Sequence, residues 1–272
     1  MAEPNLVPRT NKGASIGTAL KQWAHGFFGD VTIDGNKPLV DANNLGDVAD
    51  PAAALGNLNA ETRRTFSVQD FGAIGDGVTD DTAAITAAIT DAGVGGRVFF
   101  PEATYLVSAT IFPLDGQEIT GEGPDRSRIK LADGSDVSVI EVSEKSGVTI
   151  ERLRVDGNLD NQTIDLGVSR KSAIICIDCD GLVIRDIYAH DTIKETFKFL
   201  RCTNFRVENV HGRRSLVDGW SVEECAYGYF SDVSFEDIDP GETLSANANG
   251  FEIEDGTNNC VFLGVRFNPR AP

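Results

Sequence analysis

A short apolar pattern recurs five times over residues 150–267, and its spacing restricts the fold more than any other property of the chain. Ile150, Ile184, Val207, Phe230 and Phe262 open the five copies. A second apolar residue follows three places later in each (Leu153, Ile187, Val210, Val233, Val265), and a small or apolar one two places after that (Val155, Ala189, Gly212, Phe235, Phe267). The opening residues are separated by 34, 23, 23 and 32 positions, a fixed unit with insertions in its loops. Units of this size cannot bury an apolar face alone and must stack on one another. No helical period lies between the short runs, which are β-branched or aromatic and bounded by Gly, Asp and Asn.

The second strand of each unit is expected to repeat in the same way, aligning Cys176 and Ile177 with Lys198 and Phe199, Ser221 and Val222, and Glu252 and Ile253. Cys179, Cys202 and Cys225 are also 23 and 23 residues apart. Parallel strands stack at about 4.8 Å, so like residues lie over like. The spacing therefore predicts a buried cysteine column inside a parallel β-helix, an all-β solenoid.

Composition agrees and excludes several alternatives. The chain has 272 residues, 41% of them hydrophobic, enough for one sizeable core and an appendage. A net charge of −18 excludes nucleic acid and anionic membrane as expected partners. No apolar run approaches the ~18 residues of a membrane span, so membrane insertion is not expected. Five cysteines, with no signal-peptide pattern ahead of them, read as reduced core thiols. Cys176 and Cys179 form a Cys-x-x-Cys, but without a second pair or histidines at ligand spacing no metal and no cofactor are expected.

Three regions are expected along the chain. Residues 1–40 are broken by Pro4, Pro8, Gly13, Gly17 and Gly26. Residues 41–65 contain one short helix, with Asp50 as N-cap, Pro51 at its first position and Ala53, Ala54, Leu55 and Leu58 on one face. So short a helix needs a partner, and a copy of itself in a trimer is the simplest. Residues 66–272 form the solenoid. They open with a strand carrying Phe66, Val68 and Phe71, then a Gly-Asp-Gly turn. A helix follows, capped by Asp80 or Asp81, with Ala84, Ile85, Ala88 and Ile89 on one stripe and Gly93, Gly95 and Gly96 ending it.

The GDGVTDDTAAI run with GGRVFFPEATYLV after it resembles the start of the pectate-lyase-like right-handed parallel β-helix domain. That domain is found in phage tailspikes, alginate epimerases, rhamnogalacturonase-type enzymes and pectinases. The resemblance covers residues 66–267 and is specific to the fold rather than to a reaction. Residues 11–23 (NKGASIGTALKQW) resemble a small β-rich module near the start of phage tail fibres and spikes, and residues 41–60 resemble the linker that follows such modules. The helix after the Gly-Asp-Gly turn is expected to lid the solenoid, so Asp76, Asp80 and Asp81 are assigned to turns and caps. No capping element follows Phe267, and the chain is expected to be the front part of a longer spike.

Outward-facing side chains on stacked rungs form columns about 4.8 Å apart. One column is Asp156, His190, Arg213, Glu236 and Asn268; the next is Gly157, Asp191, Arg214, Asp237 and Pro269; a third is Glu195, Asp218 and Asn249. Glycoside hydrolysis needs two carboxyls about 5–5.5 Å or about 6.5–9.5 Å apart. Glu195 with Asp218 is the candidate near pair, and Asp191 with Asp237, Arg214 between them, the candidate far pair. His190, Arg213 and Arg214 are the candidate substrate-binding residues, able to neutralise a uronate in a lyase or epimerase. The alternative reading of these columns is charge pairing that keeps each rung soluble, as His190, Arg213 and Glu236 would provide. Glu252, Glu254 and Asp255 are candidate Ca²⁺ ligands or a solvated edge. Trp220 is expected in the core rather than at a sugar site.

Taken with the resemblance, these features imply a homotrimeric phage tailspike held on the baseplate or tail by its N-terminal module. Its solenoid would bind, and as a polysaccharide depolymerase cleave, a host capsule or lipopolysaccharide glycan without a cofactor. The alternatives are a bacterial polysaccharide lyase or epimerase, and a non-enzymatic adaptor or adhesin that uses the fold as a rod.

Overall fold

In the computed structural model the described residues are 65–165, 171–236, 250–254 and 256–268. The expected module 1–40, its linker up to residue 64, and Asp237, Asn249, Asp255 and Pro269 lie outside them.

Each central turn of the solenoid contributes one short and one long strand. The short ones, β7 (Ile140–Ser143), β9 (Ile174–Ile177), β11 (Phe197–Leu200), β13 (Trp220–Glu223) and β15 (Phe251–Ile253), make a five-stranded sheet. The long ones, β8 (Thr149–Asp156), β10 (Val183–Thr192), β12 (Arg206–Ser215) and β14 (Tyr229–Glu236), run through a twelve-stranded sheet. Every pairing of these strands is parallel. The register puts Ile150, Ile184, Val207, Phe230 and Phe262 side by side, as the repeat requires. The long strands bend midway, where Arg152, Asp186, Asn209 and Asp232 sit at φ of 58, 53, 52 and 50° and Gly264 takes the equivalent place. Asn and Asp tolerate this left-handed region best among residues with a side chain.

One short strand, β9, is one residue out of the expected alignment. Lys198 pairs with Ile175, and Phe199 with Cys176. A one-residue slip exchanges the two faces of a strand, and here it matters, because Cys176 faces the core and Ile175 takes the outward place. Ser221 with Lys198 and Glu252 with Ser221 are as expected.

Inside, one apolar core runs the length of the solenoid. Trp220 is fully buried, stacked on Phe197 at 4.1 Å and near Phe251 at 5.7 Å. Cys179, Cys202 and Cys225 are buried one rung above another, and the Cys202 N–H donates to Cys225 Sγ at 3.3 Å. All five cysteines are free, and Cys176 is held far above the usual thiol range by burial.

Only Thr65–Ser67 of the expected first strand is extended (β1), paired with Arg97–Phe100 (β3). Val68–Phe71 instead winds as a 3₁₀ turn closed by Gly72 at φ 95°. The helix α1 (Thr82–Ala92) buries Ile85, Ala88 and Ile89 against this turn and β1, closing the start of the core. Asp80 accepts the Thr82 N–H at 3.0 Å, whereas Asp81 accepts from Ile74 and Gly75 and ties the preceding turn. Buried Gln117 donates to the Ile89 and Gly93 carbonyls, satisfying the end of the helix.

Where each long strand hands over to the next short one, the connection length varies. From Asp156 to Ile174 is 18 residues and from Glu236 to Phe251 is 15, whereas His190 to Phe197 and Arg213 to Trp220 are 7 and 7. The insertions that lengthen the repeat fall almost entirely at this corner.

Candidate active site

Alternation along the short strands decides which side chains leave the five-stranded sheet. Phe197, Phe199, Trp220 and Val222 point inward, so Lys198, Ser221 and Glu252 form one outward column and Leu200, Glu223 and Glu254 the next. Glu195 and Asp218 lie just ahead of their strands on neighbouring rungs, where the Thr196 N–H donates to the Asp218 carbonyl. The structure thus gathers Glu195, Lys198, Asp218, Glu223, Glu252 and Glu254 on one face.

Lys198 organises this face. Its Nζ lies 2.6 Å from Glu223 Oε1 and 3.9 Å from Glu195 Oε1. Burial alone would depress the ammonium, but the Glu223 hydrogen bond and the surrounding carboxylates raise it above the usual lysine range. Burial likewise opposes the charge on Glu223, and the bonds from Lys198 and Glu254 overcome it, leaving Glu223 below its ordinary value. Glu254 is pushed up to about 7, by desolvation first and then by the Glu223 bond and charge. Glu252 is raised by desolvation and by the Asp218 carboxylate, to which it is hydrogen-bonded. Two carboxyls on adjacent rungs, one kept ionised and the other kept protonated towards neutrality, are the division of roles that acid–base catalysis needs.

The second expected constellation is tied up in itself. Asp191 Oδ2 is 2.8 Å from His190 Nδ1, and its Oδ1 is 3.1 Å from Arg214 Nη1. Arg214 also pairs with Asp160, on a connection the repeat does not predict. Asp191 is held below the usual carboxylate range: its burial works against this, and His190 and Arg214 outweigh it. Because a carboxylate only accepts, Nδ1 donates to Asp191, and buried Nε2 has no partner among the described residues. Arg214 pairs with Asp191, as expected, and with Asp160; its other expected neighbour, Asp237, lies outside the described residues. Arg213 is exposed in register between His190 and Glu236.

Asp156, His190 and Asp191 bring ligand atoms within 4.8 Å of one another. Asp156 Oδ1 accepts the Asn158 N–H at 2.9 Å and Asp191 is held by His190 and Arg214, so both carboxylates have protein partners, whereas His190 Nε2 has none among the described residues.

The sequence offsets had singled out Glu195 and Asp218 on this face but not Lys198 or Glu223, and Glu254 entered as a cation ligand or part of a solvated edge. Alternation along β11 and β13 held the missing signal, obscured by the one-residue slip in the first short strand.

The profile of the family described as rhamnogalacturonase A/epimerase, pectate lyase-like, matches residues 65–265. The chain belongs to this family. As a member of it, the chain is 40% identical over 222 residues to the mannuronan C5-epimerase AlgE1 of Azotobacter vinelandii, covering 72% of this chain and 15% of that one. It is 29% identical over 227 residues to the preneck appendage protein of Bacillus phage PZA, covering 74% and 26%. Among solved structures, the pre-mature gene product 12 of bacteriophage phi29 superposes with a TM-score of 0.67 at 26% identity, covering 80% of this chain and 31% of that one. The chain therefore spans about a quarter or less of the length of these curated relatives.

Proposed function

We propose that this protein is a phage virion appendage of the tailspike kind that binds and depolymerises a host surface polysaccharide, with the Glu223–Glu254 pair as its acid–base machinery. The pair itself carries the proposal: neighbouring outward carboxyls with opposed protonation, set beside Lys198 on an open face. Glu254 donates its proton to the leaving glycosidic oxygen, and Glu223, kept ionised by Lys198, attacks the anomeric carbon. Water then releases the glycosyl group as Glu254 takes back a proton. Adjacent rungs lie about 4.8 Å apart, and the Glu223–Glu254 hydrogen bond parts as the glycosidic bond enters between the two carboxyls, opening them to the ~5–5.5 Å of a retaining mechanism. Glu195, Asp218 and Glu252 border the same face and contact the sugar hydroxyls. The phage appendage relatives support the virion setting, in which the protein acts outside the cell as a homotrimer carried on the tail by residues 1–40.

A second reading is favoured by the 40% identity with mannuronan epimerases. There Lys198 neutralises a uronate carboxylate, and a neighbouring carboxylate removes the C5 proton. Incubation with capsular polysaccharide, alginate and polygalacturonate separates the two. New reducing ends without unsaturated-uronate absorbance support hydrolysis, and the absorbance supports a lyase. Unchanged viscosity and reducing ends on glycans that the protein binds would remove the depolymerase, leaving an epimerase where NMR shows inverted uronate C5 centres and an adhesin where it shows none.

A further inference from the structure

A second groove lies on the other sheet, away from the face just described. It has a volume of about 360 Å³ and is lined by Tyr188, His211, Gly212, Ser234, Glu236 and Arg266. Tyr188, His211, Ser234 and Arg266 are register partners on successive strands, so the groove presents one side chain per rung along the solenoid axis. Building on the polysaccharide reading above, we infer that this groove is a saccharide-binding site, holding the chain of the same glycan outside the reacting centre.

The chemistry of the lining points to a sugar. An aromatic wall, an imidazole, a hydroxyl, a carboxylate and a guanidinium alternate there, matching the hydroxyl rim and apolar C–H surface of a pyranose. An apolar ligand would find too little greasy surface, and the net charge of −18 opposes a nucleic acid. The volume lies within the ~300–1,000 Å³ of small-ligand sites.

The lining is also held in place from behind. His211 Nε2 lies 2.9 Å from Asn209 Oδ1, an acceptor, so Nε2 carries the proton and Nδ1 accepts from the Ser234 hydroxyl at 2.8 Å. Asn209 in turn donates to Asp186 Oδ1 at 2.7 Å, which fixes its amide. Arg266 is anchored by Asp232, and the Arg154 guanidinium lies 5.0 Å from the centre of the Tyr188 ring. A surface needed only for solubility gains nothing from such fixed orientations, whereas a binding site gains affinity by ordering fewer side chains on contact.

The test uses the full chain carrying Glu223→Gln, so that bound glycan is not cut, on an array of bacterial capsule and O-antigen glycans with alginate and polygalacturonate added. Tyr188→Ala and Glu236→Gln are introduced separately into that background. Glu236 is exposed, so its variant keeps the test valid if Tyr188→Ala fails to fold. The expected result is binding of at least one glycan by the parent and a loss of tenfold or more in each folded groove variant. Equal binding by parent and variants would overturn the groove and leave the function intact. No binding by the parent to any glycan would overturn both.

Discussion

Replacing Trp220 by alanine tests whether stacked aromatic rings hold the rungs that carry the candidate site. Trp220 is fully buried, stacked between Phe197 and Phe251, edge-on to Phe230 at 6.1 Å, and its Nε1–H donates to the Ser234 carbonyl at 3.4 Å. A buried tryptophan removes ~250 Å² from water, which at ~25 cal/mol/Å² gives an upper figure of about 6 kcal/mol. Large aromatic-to-alanine changes in cores destabilise by about 3–5 kcal/mol after partial collapse. Parallel strands on both sides of β13 restrict that collapse, so about 4 kcal/mol is expected. Trp220→Phe keeps the stack and should lose far less. Guanidinium unfolding followed by far-ultraviolet circular dichroism measures both, since one of the two tryptophans has been removed from any fluorescence signal. Because a solenoid opens locally, Trp220→Ala should also speed thiol labelling of Cys225, on the same rung, and Cys202, on the rung before it. A loss below about 1 kcal/mol, or equal losses for alanine and phenylalanine, would refute the packing argument.

Three further outcomes follow from the site and the thiols. Glu223→Gln should lower depolymerisation ~100- to 10,000-fold while leaving the melting temperature nearly unchanged, and retained cleavage would dismiss Glu223. Glu254 has its folded pKa raised from 4.5 to about 7, so its contribution to stability is complete below about pH 4.5 and is lost as pH rises towards 7. Glu254→Gln should flatten that part of the stability–pH curve and abolish the alkaline limb of activity; an unchanged pH profile counts against its protonated role. Thiol titration should find Cys260 reacting first in the folded protein and Cys176, Cys179, Cys202 and Cys225 only after unfolding, and fast labelling of Cys176 would contradict its burial.

The rungs were legible because a residue offset survives folding unchanged: positions 23 apart in the chain became register partners. The cysteine column came from the same arithmetic, and buried Trp220 from its place two residues before inward Val222. What could not be read was anything depending on a local choice between two backbone states. Val68–Phe71 has the apolar content of a strand, but Gly72 allows a left-handed closure that turns it into a 3₁₀ turn. The carboxylates Glu195 and Asp218 were reached by offset, but the protonation split between Glu223 and Glu254 depends on where Lys198 points. Asp160 as a partner of Arg214 is 54 residues away and sits in an insertion, where the repeat is silent.

The uneven handovers between long and short strands have an evolutionary consequence. Lengthening a segment there shifts no hydrogen-bonded ladder, because the strands on either side keep their partners. Related chains of this fold can therefore vary in length at these handovers while keeping the paired strands unaltered. Sequence change is then absorbed by the connections, and the register of the ladders is passed on intact.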